Sequence, residues 1–212
     1  MSNASNGTGL REHMFLFSRF LRSPRTVGAL TASSRALAEA MVQGLDLERP
    51  GHIVELGPGT GVFTAAIAQR LGADTRFLAV DIDPAFVDQI RRRWPAIECI
   101  CASAERLDEL VAAREMLPID HIVSGLPFVS LPPPMTKRIL ASVESVLRPG
   151  GSFTTFQYLH GYGLPQAVSF RRAMTERMGT QPTSRLVVRN VPPAVVLTWH
   201  KAAPQPVPPQ AD

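Results

Sequence analysis

The chain reads as an α/β protein: a seven-stranded, mostly parallel, doubly wound sheet with a C-terminal antiparallel hairpin and an N-terminal helical extension. Three observations predict this. Short apolar runs alternate with amphipathic stretches between residues 52 and 178, and strand–helix alternation builds a parallel sheet covered on both faces. The run Ile53-Val54-Glu55-Leu56 stops at Gly57-Pro58-Gly59-Thr60-Gly61 before a helical pattern begins. Three glycines at alternate positions let the backbone bend sharply and let a ligand approach it closely. Last, Arg185–Val191 and Ala194–His200 are strand-like runs joined by a Pro-Pro turn, with no helix between them.

The elements follow in order. Residues 11–22 have a helical pattern, and Ser34–Gly44 reads as a second helix capped by Ser33 or Ser34. Strand 52–56, helix 62–71, strand 76–81 and helix 84–93 come next, then strand 97–101, a short helix at 105–115 and strand 120–124. A helix over 134–147 stops at Arg148-Pro149-Gly150-Gly151, followed by strand 152–158, a helix over 166–178 and the hairpin. The expected layout is a polar, tag-like lead (1–9), N-terminal helices (10–44), one ligand-binding domain (45–202) and a proline-rich disordered tail (203–212).

Composition sets the class. At 212 residues, 45% apolar and 19% charged, the chain suits one soluble globular domain. A net charge of +4 favours an anionic partner, nucleic acid or acidic lipid. Cys99 and Cys101 stand two apart in an apolar run with no further ligand cluster, so they read as small core residues on one strand face. No run reaches the length of a membrane span and no secretory signal opens the chain. A cytoplasmic protein is expected, one that touches a membrane only by lying on it.

The glycine motif points to a cofactor. A dinucleotide fingerprint needs glycine at position 62, where Val62 stands. The acid before the glycines suits a cationic ligand better than a pyrophosphate. The site is therefore read as one for S-adenosylmethionine, leaving S-adenosylhomocysteine as product, with Glu55, Gly57, Gly59, Thr60 and Gly61 lining the methionine moiety. Asp81 ends the second strand about twenty residues on, where a carboxylate can take both ribose hydroxyls, with Ile82 beside it. Asp83, before Pro84, is the better helix cap.

Seven strands with this ending are the architecture of the class I methyltransferases, which the chain resembles over nearly its whole length. Where that class often has an aspartate against the adenine amine, this chain has Ser103 beside Ala104; an adenine contact and a helix cap are both open to Ser103. The fourth strand ends Ser124-Gly125-Leu126-Pro127-Phe128, which resembles the Asn-Leu-Pro-Phe/Tyr signature of amino-group methyltransferases. Gly125 and Leu126 then border the cofactor. A conjugated nucleobase amine needs a side-chain amide and a carbonyl to accept its protons. An alkylamine needs only to lose a proton and be aimed at the methyl, so Ser124 fits an alkylamine. Phe128 is either an aromatic face for a substrate ammonium or plain core. Tyr158 and His160, with Tyr162 nearby, close the fifth strand, and either of the first two could take the amine proton or bond a headgroup phosphate. Ser124 and Tyr158 are the catalytic candidates; no metal is expected.

On a helical wheel, Met14, Leu16, Phe17, Phe20 and Leu21 share one face of residues 11–22 and Arg11, Ser18, Arg19 and Arg22 the other, with Arg25 following. That pattern fits a helix in a lipid interface or one packed on the domain. Three stretches resemble the soluble bacterial phosphatidylethanolamine N-methyltransferases and the related ornithine-lipid N-methyltransferases: Ser23–Ala29 through Ser33-Ser34, Ser124–Phe128, and Arg189-Asn190-Val191-Pro192-Pro193-Ala194. The resemblance implies methylation of an aminolipid headgroup, phosphatidylethanolamine first. It also implies a monomer on the inner membrane that meets anionic lipid through Arg19, Arg22 and Arg25, without nucleic acid. Two rivals stand beside it. One is an rRNA adenine N6-dimethyltransferase, disfavoured by Ser124 and by the short sequence after the fifth strand. The other is a non-catalytic lipid-surface module.

Overall fold

A computed structural model of the chain describes residues 27–203 apart from Pro50, and side chains from Arg35 onward. The helix expected over 11–22, with Arg19, Arg22 and Arg25, lies outside the described residues. The first described helix, α1 (Val27–Val42), begins seven residues before the expected start. Ser33 and Ser34 fall inside it, so neither caps it. The alanines and leucines on both sides of them are strong helix formers and carry the helix through.

Alternation then proceeds as β1 (Gly51–Leu56), α2 (Val62–Ala68), β2 (Thr75–Asp81), α3 (Pro84–Arg93), β3 (Glu98–Cys101), α4 (Leu107–Ala112), β4 (Ile119–Ser124), α5 (Pro133–Val146), β5 (Leu147–Tyr158), α6 (Pro165–Met178), β6 (Thr183–Val187) and β7 (Ala194–His200). The strands form one sheet in the order β3-β2-β1-β4-β5-β7-β6. β1 to β5 are parallel, and β7 is antiparallel to both β5 and β6. Strand order reverses between β1 and β4, where an open parallel sheet leaves a crevice at its carboxyl edge.

Each sheet face packs on three helices. Val54, Leu56, Val80, Ile122 and Phe153 point toward α4, α5 and α6. Their strand neighbours Ile53, Ala79, Val123 and Val196 point toward α1, α2 and α3. This period-two alternation, buried on both sides, is why the strands read as continuous apolar runs.

Three boundaries differ from the sequence reading for physical reasons. β5 begins at Leu147 rather than 152, because Arg148–Gly151 form an irregularity between two paired segments: Leu147 faces Ile119, and Ser152 faces His121. β6 ends at Val187, not 191; the Asn190 side chain donates to the Pro192 carbonyl at 2.6 Å and curls residues 188–193 into a loop. Helix 105–115 is a 3-10 turn (Ala104–Arg106) followed by the short α4. Of the two cysteines, Cys99 is core and Cys101 is exposed, since β3 is an edge strand with one open face at its end.

Candidate active site

The glycine turn is set by backbone geometry. Gly57, Gly59 and Gly61 all have positive φ (70°, 53° and 82°), a conformation that side chains disfavour. They are not equivalent. A Cβ on Gly59 would meet nothing within 4 Å, whereas one on Gly61 would strike the Trp94 ring at 2.5 Å and Ile90 at 2.7 Å. Gly61 was expected beside the cofactor. It starts α2 and is crowded by the end of α3.

Asp81 stands at the end of β2, 3% exposed. Its Oδ2 accepts the Gly59 amide at 3.1 Å and its Oδ1 the Asp83 amide at 2.9 Å. Burial raises its pKa, and the amides of Asp83 and Gly59 oppose that rise. Asp83 caps α3 through the Ala85 amide at 2.9 Å, as its place before Pro84 suggested.

Glu55 lies on the α2 side of β1 and is fully buried. Thr64 Oγ1 donates to its Oε2 at 2.7 Å, while Oε1 has no partner among the described residues. Burial pushes its pKa from 4.5 to about 8, and the charge of Asp81 adds to the rise. A buried carboxyl with one unsatisfied oxygen is costly unless something cationic or hydrogen-bonding completes it.

A cleft of about 370 Å³, part of it open to solvent, runs from this turn along the β1–β2–β3 carboxyl edge. Gly57, Asp81, Ile82, Ser103, Ala104 and Leu126, all expected from the sequence, line it. Leu131, Met135 and Ile139 close its far wall and were missed. Their signal was an apolar i, i+4 pair on α5, which reads as ordinary core. Ser103 Oγ accepts the Glu105 amide at 3.3 Å, so it serves as a cap while also facing the cleft. A polar end at Asp81 joined to an apolar slot between Ile82 and Leu126 suits a nucleoside: hydroxyls at one end, a flat ring at the other.

The β4 end packs tightly on the glycine turn. A Cβ on Gly125 would sit 2.6 Å from the Gly57 carbonyl oxygen, and the Gly125 amide donates to Leu56 at 2.8 Å. Ser124 is fully buried, and its hydroxyl accepts the Leu126 amide at 3.3 Å. Expected as a catalytic candidate, its hydroxyl holds the Gly125–Pro127 turn and has no exposed surface. Of the two readings open to Phe128, its surroundings are those of core. Its ring is 6% exposed, stacks on Phe170 at 4.5 Å and meets Phe153 edge-on.

The aromatic faces beside Gly125 come from elsewhere. Phe63, in the first turn of α2, lies against Gly125 and packs edge-on to Phe156; Phe156 meets Tyr158, and Tyr158 stacks on His160 at 5.7 Å. The rings of Phe63, Phe156 and Tyr158 are half-buried and His160 is exposed, forming a row that leads outward. Phe63 and Phe156 were missed, although Phe63 follows the glycines by two residues and Phe156 shares a strand face with Tyr158. Tyr162 lies apart under the Arg171 guanidinium, 3.9 Å from its ring centre.

Comparison with known proteins agrees with this geometry. Residues 53–151 match the family described as a methyltransferase domain. The chain is a class I S-adenosylmethionine-dependent methyltransferase. Among curated proteins it resembles the ornithine lipid N-methyltransferase of Singulisphaera acidiphila, 28% identical over 147 residues that cover 68% of this chain and 77% of that protein. It also resembles the ribosomal RNA small subunit methyltransferase A of Prosthecochloris aestuarii, 25% identical over 58% of this chain and 45% of the relative, so it spans under half of that relative's length. The fold is shared with the Burkholderia thailandensis 1,6-didemethyltoxoflavin-N1-methyltransferase solved with S-adenosylhomocysteine: TM-score 0.64, 19% identity, 96% of this chain and 93% of that one. Among the described residues no acidic, histidine and cysteine cluster could hold a metal, and no helix is long and apolar enough to cross a membrane.

Proposed function

We propose that the protein transfers methyl groups to the amine of an aminolipid headgroup, with phosphatidylethanolamine or an ornithine lipid as acceptor. The observation that carries this is Ser124. Where the amino-group signature carries an asparagine, this chain has a hydroxyl that accepts the Leu126 amide, and no side-chain amide. A nucleobase amine, conjugated with its ring, needs that amide; an alkylamine does not. Similarity over 77% of an ornithine lipid N-methyltransferase supports the same reading.

In this reading Asp81 orients the ribose and Ile82 and Leu126 hold the adenine. The cofactor supplies an electrophilic methyl on a cationic sulfur. Glu55 compensates positive charge from beneath the glycine turn, and the close Gly57–Gly125 contact fixes donor and acceptor loops at one spacing. The Phe63–Phe156–Tyr158–His160 row offers ring faces to an ammonium and keeps water from it. Arg19, Arg22 and Arg25 add attraction to anionic lipid.

The rRNA reading keeps the support of its own relatives. One experiment separates the two: incubate the protein with labelled S-adenosylmethionine and either aminolipid vesicles or ribosomal RNA. Label in the lipid fraction is expected, and label found only in RNA would overturn the proposal.

A further inference from the structure

The loop between β6 and β7 carries apolar side chains outward. Val188 and Val191 are each 66% exposed, and Leu186, on edge strand β6, is 54% exposed. Leu159 and Leu164, flanking the turn after β5, are each 47% exposed. The two loops adjoin: the Leu159 amide donates to the Pro193 carbonyl at 2.8 Å, and Tyr158 pairs with Ala194. Strand directions place both at the carboxyl edge, the edge that holds the glycine turn and the cleft.

Single exposed aliphatics are ordinary, but four in two adjoining loops, with Leu186 at the end of β6, form a patch that needs a partner. The loop is not slack. Asn190 is 4% exposed and its amide group ties to Pro192, so the buried asparagine fixes a turn that presents Val188 and Val191. Charge indicates what meets them. From Thr183 to Pro193 the sequence has Arg185 and Arg189 and no acid. Arg189 lies exposed between the two valines. A second copy seated on this loop through its own equivalent loop would bury Arg189 with no acid of that stretch to face it. An anionic bilayer instead offers phosphates to the arginine and an acyl boundary to the valines.

We propose that the β6–β7 loop and the turn after β5 are a lipid-docking surface, which sets the rim of the catalytic edge on an anionic bilayer. The inference rests on the aminolipid reading and adds to it a contact made by the folded domain itself.

The test uses the full chain and sedimenting vesicles of phosphatidylethanolamine with phosphatidylglycerol. The double variant Val188→Ser/Val191→Ser is expected to lower vesicle partition about a hundredfold or more, in line with loss of two buried aliphatic side chains. Arg189→Gln should lower it a few-fold and flatten its salt dependence. Melting temperature and calorimetric binding of S-adenosylhomocysteine should stay at wild-type values in both. Unchanged partition in the double variant, or no partition by the wild type, would overturn the proposal. So would a wild-type dimer that the double variant splits, or new protease cleavage within residues 11–22 in a variant that still binds vesicles. Methylation of monomerically dispersed short-chain phosphatidylethanolamine separates the two ideas. If it persists in wild type and variant alike while partition is unaffected, docking fails and the aminolipid reading stands. If the wild type methylates no aminolipid in either form, that reading fails, whatever the partition shows.

Discussion

Thr64 and Glu55 form a hydrogen bond of 2.7 Å that satisfies only one oxygen of a carboxyl sealed from solvent. Burial raises the Glu55 pKa from 4.5 to about 8. Between those values the folded state holds a proton that the unfolded state has released, so stability falls as pH rises through that window. One such group contributes up to about 1.4 kcal/mol per pH unit. Asp81 is shifted in the same direction and adds to the slope. Glu55→Gln, which cannot ionise, is expected to flatten the dependence of melting temperature on pH between 5 and 8. Wild-type binding of the cationic donor should favour ionised Glu55 and release a proton, seen as buffer-dependent heats in calorimetry; the glutamine variant should release fewer. An identical slope in both proteins would show that Glu55 is already charged.

Two glycines of the site should fail differently when given a methyl group. At Gly125 the added carbon would sit 2.6 Å from the Gly57 carbonyl, so the β1 and β4 turns must separate. Gly125→Ala is expected to lose several degrees of melting temperature together with cofactor affinity. At Gly59 nothing lies within 4 Å, and only a φ of 53° opposes a side chain. Gly59→Ala should cost about 1–2 kcal/mol of stability. Its loss of S-adenosylhomocysteine affinity should be larger, because the methyl occupies space left for ligand. Equal losses of stability in the two variants would contradict this division.

The fold was legible because its signals are periodic. Helix Pro84–Arg93 and strand Ala194–His200 lie where pattern and punctuation placed them. Errors arose where a local signal was outvoted by neighbours: Ser33 and Ser34 could cap a helix but sit within one. In the site, residues whose backbone meets the cleft were readable from the strand ends, Asp81 and Leu126 among them. What sequence could not separate was two reasons for glycine. Gly61 is spaced like Gly59, yet one is crowded by Trp94 and the other faces open space. Aromatics were equally ambiguous. Phe128 continues a recognisable motif but points into core, while Phe63 and Phe156 gain their place only through sheet order and helix packing.

Asp81 links the glycine turn to the α3 cap through the amides of Gly59 and Asp83. Replacing it therefore removes a proposed ribose contact and loosens the turn. Hydrogen bonds to a charged acceptor contribute about 1.5–3 kcal/mol each. Asp81→Ala is expected to weaken S-adenosylhomocysteine binding 100-fold or more, while Asp81→Asn, which keeps one acceptor oxygen, should lose about tenfold. An unchanged dissociation constant in the alanine variant would refute the ribose role.

Tyr158 sits in the ring row between Phe156 and His160. Burial raises its pKa above the ordinary tyrosine value of 10.0, so near neutral pH its hydroxyl keeps its proton. A phenol in that state donates hydrogen bonds and is a poor base. Of the two roles sequence allowed, receiving the amine proton or bonding a headgroup phosphate, the second is the one its protonation permits. Tyr158→Phe preserves the ring packing and removes only the hydroxyl. It is expected to raise KM for the aminolipid several-fold, with kcat within about threefold of wild type and the kcat–pH profile unmoved. General-base catalysis is typically worth 10²–10⁴ in rate. A kcat loss of that size in the phenylalanine variant, with a shifted pH profile, would return Tyr158 to the role of proton acceptor.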